Sequence, residues 1–198
     1  MYSYKVEQAI KAAALLHQDQ VRKGDIPLPY ITHLMAVTMI LRDYTEDEDT
    51  LVAALLHDTI EDTDYTLEEL KTDFGDNVAN IVEHVTEEEY KNGERIPWLQ
   101  VKQNYAKKLK KAPIESVLVS AADKTHNFRC IVEDYFDDHH GFFRDFGNSL
   151  ENQLEAYQNI ANAINSRLSD GIVHEFNQTF EEFKNFIFDV QEKNSEPS

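Results

Sequence analysis

The sequence predicts an all-α fold: a helical bundle built as one domain over residues 1–193, with 194–198 as a disordered tail. Two observations carry that prediction. Apolar residues recur at helical spacing in segment after segment, and strand-like alternation bounded by turns is nearly absent. The length supplies a third, because 198 residues suffice for one sizeable core and are short for two.

Val6 to Val21 reads as the first helix, closed by the loop Gly24-Asp25-Ile26-Pro27-Leu28-Pro29-Tyr30, where two prolines and a glycine stop it. Thr32 is placed to cap the next helix, from His33 to about Tyr44. Thr45-Glu46-Asp47-Glu48-Asp49 is an acidic opening that suits a helix N-terminus, and Leu51 to Ile60 continues it as an apolar helix. Thr66-Leu67-Glu68-Glu69 has the form of a capping box, for a short helix ending near Phe74-Gly75. Asp76 to about Thr86 is helical, and the polar stretch Glu87 to Pro97, with Asn92-Gly93 inside it, is expected to be a mobile loop. Helices are predicted again from Pro97 to Lys111 and from Pro113 to about Val132. Asp134 to Gly147 is expected to be irregular. Two last helices, roughly 150–168 and 172–190, carry Leu154, Tyr157, Ile160 and Ile164, then Phe176, Phe180, Phe183 and Ile187, at core spacing.

Composition narrows the function. The 41% hydrophobic content fits a globular protein, and a formal net charge of -18 disfavours a nucleic-acid surface, which depends on many cationic contacts to phosphate. A small phosphorylated ligand stays compatible, because a metal and a few local cations outweigh the global field at short range. No apolar run approaches a membrane span and the N-terminus lacks a signal-peptide pattern, so a cytoplasmic protein without a membrane partner is expected. Cys130 is the one cysteine, which leaves histidine and carboxylate as the donors for any metal. Nothing in the sequence specifies a protein partner.

One stretch breaks the pattern. Leu55-Leu56-His57-Asp58-Thr59-Ile60-Glu61-Asp62-Thr63 puts ionisable side chains where the apolar run should continue. On a helix Asp58 shares a face with Glu61 and Asp62, and His57 shares one with Glu61. Converging carboxylates beside an apolar stretch repel one another and are poorly solvated, so a divalent cation is the simplest companion. The alternative is an exposed acidic helix end. A second constellation, Ala122-Asp123-Lys124-Thr125-His126-Asn127, also comes after an apolar helical run, and His33 opens its own helix after Pro29-Tyr30-Ile31-Thr32.

His33, then His57-Asp58, then a distant Asp123 resembles the His, His-Asp, Asp signature of the HD-domain metal-dependent phosphohydrolases. Further motifs agree in order: His17-x-x-Gln20-x-Arg22-Lys23, Pro29-Tyr30-x-x-His33, Ala53 through Thr63, Phe74-Gly75-x-x-Val78, and Ala122-Asp123-Lys124-x-His126-Asn127-x-Arg129. Together, over about residues 6–132, they resemble the hydrolase domain of the RelA/SpoT alarmone enzymes. The stretch after residue 132 is too short for a synthetase domain, so the chain is similar to the stand-alone small alarmone hydrolases, of which the metazoan SpoT homologue is one type.

The resemblance implies manganese-dependent removal of the 3′-pyrophosphate from guanosine tetra- and pentaphosphate. It makes His33, His57, Asp58 and Asp123 the metal ligands, Glu61 and Asp62 the catalytic acids, and Arg22, Lys23, Asn127 and Lys124 the substrate contacts. Manganese is implied by the resemblance alone, since ligand softness also admits Fe²⁺, Co²⁺, Ni²⁺ or Zn²⁺. His126 is expected to orient a ligand rather than bind metal. Lys124 stands where the family more often has Arg, Cys130 where it often has Thr, and the 23–29 loop, expected to border the base pocket, departs from the usual arrangement. An adenosine alarmone, another nucleotide, or binding without turnover are the alternatives. Lys102, Lys107, Lys108, Lys110 and Lys111 are read as a solvated helix face, His139-His140, His84 and His174 as non-ligands, and the Phe176/Phe180/Phe183 stripe as core.

Overall fold

The computed structural model describes residues 3–24, 26–146 and 149–195. The chain is all-α apart from one short hairpin. Ser3 caps α1 (Tyr4–Leu16) by accepting a hydrogen bond from the Val6 amide at 3.2 Å. The helix ends at Leu16, five residues before the expected Val21, and His17 caps it where the chain enters a closed loop. The loop is pinned by Arg22 N to Leu28 O at 2.9 Å and Tyr30 N to Gln20 O at 3.0 Å. Those bonds hold Arg22 and Tyr30 close together at its base.

α2 (Ile31–Arg42) starts from Tyr30, not from Thr32 as expected; the Thr32 hydroxyl donates to Pro29 O at 2.8 Å instead. α3 (Glu48–Leu56) is capped by Asp47, which accepts from both the amide and the hydroxyl of Thr50. The predicted helix to Ile60 is broken at His57-Asp58, after which α4 (Thr59–Asp62) makes one further turn. Side chains explain the break: Thr59 Oγ1 donates to Leu56 O at 2.6 Å and His57 Nδ1 lies 2.8 Å from Ala54 O, competing for carbonyls the helix would use.

The capping box forms as predicted at the start of α5 (Leu67–Phe74), and α6 (Asp76–Val85) comes directly after it. The 87–97 segment holds strands β1 (Tyr90–Lys91) and β2 (Glu94–Arg95), joined by Asn92 and Gly93 at φ 53° and 83°, the paired positive angles of a tight hairpin turn. Next come α7 (Trp98–Leu109) and α8 (Ile114–Tyr135).

The 134–147 stretch is not irregular: α8 continues to Tyr135, and α9 (His139–Phe146) occupies most of the remainder, its first turn tied by Gly141 N to Asp138 Oδ1 at 2.9 Å. Residue 147 lies outside the described residues. α10 (Leu150–Asn165) and α11 (Ile172–Ser195) complete the chain. α11 continues through Asn194 and Ser195, where a tail was expected, and 196–198 lie outside the described residues.

α8 is the axis of the molecule. It packs on α11, α2, α6 and α3, while α10 closes the far side against α7 and α11. Phe128 of α8 sits among Phe176, Phe180, Phe183 and Tyr157, stacked on Phe183 at 4.7 Å, so the phenylalanine stripe is core. Leu34, Val37, Leu55, Leu56, Val82 and Val117 fill the other flank, each contributing about 1.5–3 kcal/mol by leaving water. Among the described residues no helix is long and apolar enough to cross a membrane.

Candidate metal centre

Three apolar helices deliver polar side chains to one point. His33 comes from the first turn of α2, His57 and Asp58 from the break between α3 and α4, and Asp123 from the buried middle of α8. His33 Nε2 lies 3.5 Å from Asp58 Oδ2 and 3.3 Å from Asp123 Oδ1. His57 Nε2 lies 3.2 Å and 3.6 Å from the same two oxygens. His33, His57 and Asp58 offer donor atoms that all lie within 4.8 Å of one another, with Asp123 Oδ1 beside both imidazoles. Neighbouring donors about 2.1 Å from one cation sit roughly 3.0–3.4 Å apart, close to the imidazole–carboxylate spacings.

The donor set fits a cation on two further grounds. His57 Nε2 is buried with no hydrogen-bond partner, while its Nδ1 is committed to Ala54 O, which leaves the Nε2 lone pair aimed at the cluster. His33 Nδ1 lies 2.9 Å from His126 Nδ1. Burial, then the neighbouring His33 and Arg22, push His126 down to about 4, so it is neutral at pH 7 and can accept the His33 proton. His126 was expected to orient a ligand, and it contacts His33 through the ring nitrogen that does not face the carboxylates.

Without a cation the cluster manages its charge by protons and by Lys124. Burial opposes a charge on His57, but Asp58 and Asp123 outweigh it and hold the imidazole up at about 9. Burial also works to raise the Asp123 carboxyl, yet Lys124 Nζ, 2.8 Å from Asp123 Oδ2, and both imidazoles hold it well below the usual range. Lys124 is buried against Asp123 and 5.4 Å from the Tyr105 ring.

Around the cluster lies a cleft of about 360 Å³ whose lining includes Arg22, Lys23, Asp58, Glu61, Asp62, Asp123, Lys124 and Asn127. Each sequence-predicted site residue except His33, which backs the cluster, therefore reaches one cavity. Loss of solvent around its carboxylate and the facing Glu87 push Glu61 up to about 8, and Glu87 N donates to Glu61 Oε2 at 2.9 Å. Asp62 is raised as well, by loss of solvent and by Asp58. Gln20 Nε2 donates to Asp62 O at 2.7 Å, which ties α4 to the loop that follows α1.

Arg22 Nη2 donates to Asn127 Oδ1 at 2.8 Å and lies 5.6 Å from the Tyr30 ring, while Asn127 Nδ2 donates to Asp123 Oδ1. Lys23 Nζ turns to Asp145 O at 2.9 Å, above the Phe146 ring. Of the 23–29 loop expected to border the base pocket, Lys23 is in the cleft lining, with Val21, Arg22 and Tyr30 on either side; residue 25 lies outside the described residues.

Sequence reasoning missed three contributors. Tyr30 donates its hydroxyl to Asp58 Oδ2 at 2.8 Å, and Glu87 and Lys102 form an ion pair at 2.7 Å inside the cleft. Lys102 therefore does not belong to a solvated face. Lys107, Lys110 and Lys111 are exposed, whereas Lys108 donates to Glu83 O and Thr86 O. The one signal for Lys102 was its spacing from Trp98, Val101 and Tyr105, which places it at the edge of the buried stripe of α7.

A helical bundle with an imidazole and carboxylate cluster of this form defines the HD class, and the family model for the HD domain matches residues 9–143. The protein belongs to the HD domain family. Within it, the chain is 42% identical over 127 residues to a GTP pyrophosphokinase of Streptomyces coelicolor, covering 63% of this chain and 14% of that one. It is 39% identical over 124 residues to the guanosine-3′,5′-bis(diphosphate) 3′-pyrophosphohydrolase of Xenopus tropicalis, covering 62% of this chain and 66% of that one. The chain thus spans less than two thirds of these relatives, and only a small part of the longer one. Among solved structures it superposes on a metazoan ortholog of SpoT, described as hydrolysing ppGpp, with a TM-score of 0.73 at 24% identity, covering 92% of this chain and 97% of that one. A Listeria monocytogenes protein matches with a TM-score of 0.67 at 25% identity, over 81% and 96% of the two chains.

Proposed function

We propose that the protein is a metal-dependent hydrolase that removes the 3′-pyrophosphate of guanosine tetra- and pentaphosphate, releasing pyrophosphate and GDP or GTP. The observation that carries this reading is the meeting of His33, His57, Asp58 and Asp123 at one point, with Glu61 and Asp62 opening on the same cleft as Arg22, Lys23 and Asn127. The naming of the Xenopus relative as such a hydrolase supports the reaction class.

The two imidazoles and two carboxylates would hold the cation, and a nitrogen and oxygen donor set without thiolate suits Mn²⁺. When bound, it supplies Lewis-acid polarisation of a phosphoryl oxygen and lowers the pKa of water toward neutrality. The chain's own groups do the rest. Arg22, 5.6 Å from the Tyr30 ring and bonded to Asn127, would meet the base, and Lys23 and Lys124 would meet phosphate oxygens. In the reaction a water oxygen bonds to the phosphorus carried on the ribose 3′ oxygen, that phosphorus–oxygen bond breaks, and the 3′ oxygen takes a proton. Glu61, whose carboxyl is raised by loss of solvent and by the facing Glu87, is suited to deliver it. Asp62, one position on, orients the water and receives its proton.

Guanosine and adenosine tetraphosphates incubated side by side with Mn²⁺ and resolved by HPLC test the assignment of the base. Preferential conversion of the guanosine compound to GDP is expected. Conversion of the adenosine compound alone would reassign the base, and conversion of neither would move the function to another phosphoester or to binding.

A further inference from the structure

The end of the cleft beyond Glu61 holds a buried ion pair that the reaction above leaves unused. Lys102 turns inward from α7 so that Nζ lies 2.7 Å from Glu87 Oε1, with the two side chains 14% and 6% exposed. The Trp98 ring lies 5.6 Å from the same ammonium, and Tyr105 and Tyr157 complete the wall. Taking both charges out of water is costly, and an apolar pair would pack at least as well, so stability alone does not account for them. The bond to Glu87 occupies one of the ammonium's three donors.

α8 acts as a ruler across the cleft. One turn before Asp123, Ser120 accepts from the Tyr105 hydroxyl at 2.8 Å and so marks the α7 side, where Lys102 stands. One turn after Asp123, Asn127 accepts from Arg22. The two marks are about 10 Å apart along the helix, with the metal cluster between them. A bond cut at the cluster leaves fragments on both sides. The nucleoside fragment takes the Arg22 side, and the pyrophosphate fragment must lie toward Lys102 and Lys124.

Resting on the hydrolase reading, we infer that Lys102 receives the terminal phosphate of the pyrophosphoryl group, and that Glu87 is a placeholder carboxylate holding its ammonium until phosphate arrives. Glu87 mimics the anion in charge and in accepting geometry, and its backbone amide is bonded to Glu61 Oε2 at 2.9 Å. Nearby Lys124, already engaged by Asp123, adds a second positive charge to this wall without competing for Glu87.

Calorimetric titration of inorganic pyrophosphate into Mn²⁺-loaded protein, with matched Mn²⁺ in both solutions, tests this without requiring turnover. Lys102→Gln should bind about 10- to 100-fold more weakly, as expected for loss of a charged hydrogen bond, and Lys102→Arg should keep most of the affinity. Glu87→Gln should bind more tightly because the ammonium is freed, and that gain should vanish in the Glu87→Gln/Lys102→Gln double variant. Melting temperatures report folding; if Lys102→Gln fails to fold, the Lys102→Arg and Glu87→Gln arms decide. Wild-type affinity in Lys102→Gln, weaker binding in Glu87→Gln, or a gain that survives in the double variant would overturn the inference. Hydrolysis with Lys102-independent pyrophosphate binding sinks the inference alone, whereas Lys102-dependent binding without hydrolysis of any alarmone sinks the hydrolase reading.

Discussion

The phenol of Tyr30 donates to Asp58 Oδ2 at 2.8 Å while its ring stacks on His17 at 5.0 Å. Burial and the adjacent Asp58 hold the phenol far above its ordinary pKa, so it remains a donor at any working pH. Tyr30→Phe keeps the stack and removes only the hydrogen bond that aims Asp58. Mn²⁺ affinity, measured by chelator competition, is expected to fall about 10- to 100-fold with little change in melting temperature. An unchanged affinity would show that Asp58 is oriented by other contacts.

Glu61 makes the metal-free protein sensitive to pH. Its carboxyl is raised from 4.5 to about 8 by loss of solvent and by Glu87, so the native state holds a proton that the unfolded chain gives up. With more protons bound in the folded state, this group's contribution to stability falls as pH rises from about 4.5 to about 8. Glu61→Gln removes the effect. The melting temperature of the variant relative to wild type is therefore expected to climb between about pH 5 and pH 8 and level off above; a constant offset would contradict the assignment.

Lys124 neutralises Asp123 at 2.8 Å when no cation is present. Removing one partner of a buried pair costs about 3–5 kcal/mol, so metal-free Lys124→Met should unfold at markedly lower urea. A cation replaces part of the lost charge. The stabilisation gained on adding Mn²⁺ should consequently be larger in Lys124→Met than in wild type, and an equal gain would show that Lys124 does not report on the cluster.

Phe128 stands on the same helix as Asp123 but faces the aromatic core, stacked on Phe183. Phe128→Ala should cost about 3–5 kcal/mol of stability in urea denaturation, while the folded protein keeps its metal affinity. Loss of both together would mean that the core and the cluster are not separable along α8.

The convergence of these side chains was legible because His57-Asp58 at the end of α3 and Asp123 within the buried stretch of α8 each interrupt an apolar run, whereas His33, in the first turn of α2, joined them through the family resemblance. The helix break between His57 and Thr59 was not, since it depends on which carbonyls the His57 and Thr59 side chains take up. α9 was missed although Phe142 and Phe146 share a face and Asp138 stands at its start, a cap signal that could have been read. Lys102 was read as one of a row of lysines because spacing within α7 cannot reveal that Glu87, at the end of another segment, draws it inward.

Metal-dependent release of pyrophosphate at this cluster is tested most directly by ³¹P NMR of guanosine tetraphosphate with purified protein and Mn²⁺, run beside the His57→Ala/Asp58→Ala variant and a chelated sample. Pyrophosphate and GDP in stoichiometric amounts are expected from wild type with Mn²⁺, and intact substrate in the other two. Single phosphates as product, or equal turnover in the variant, would contradict the proposed reaction.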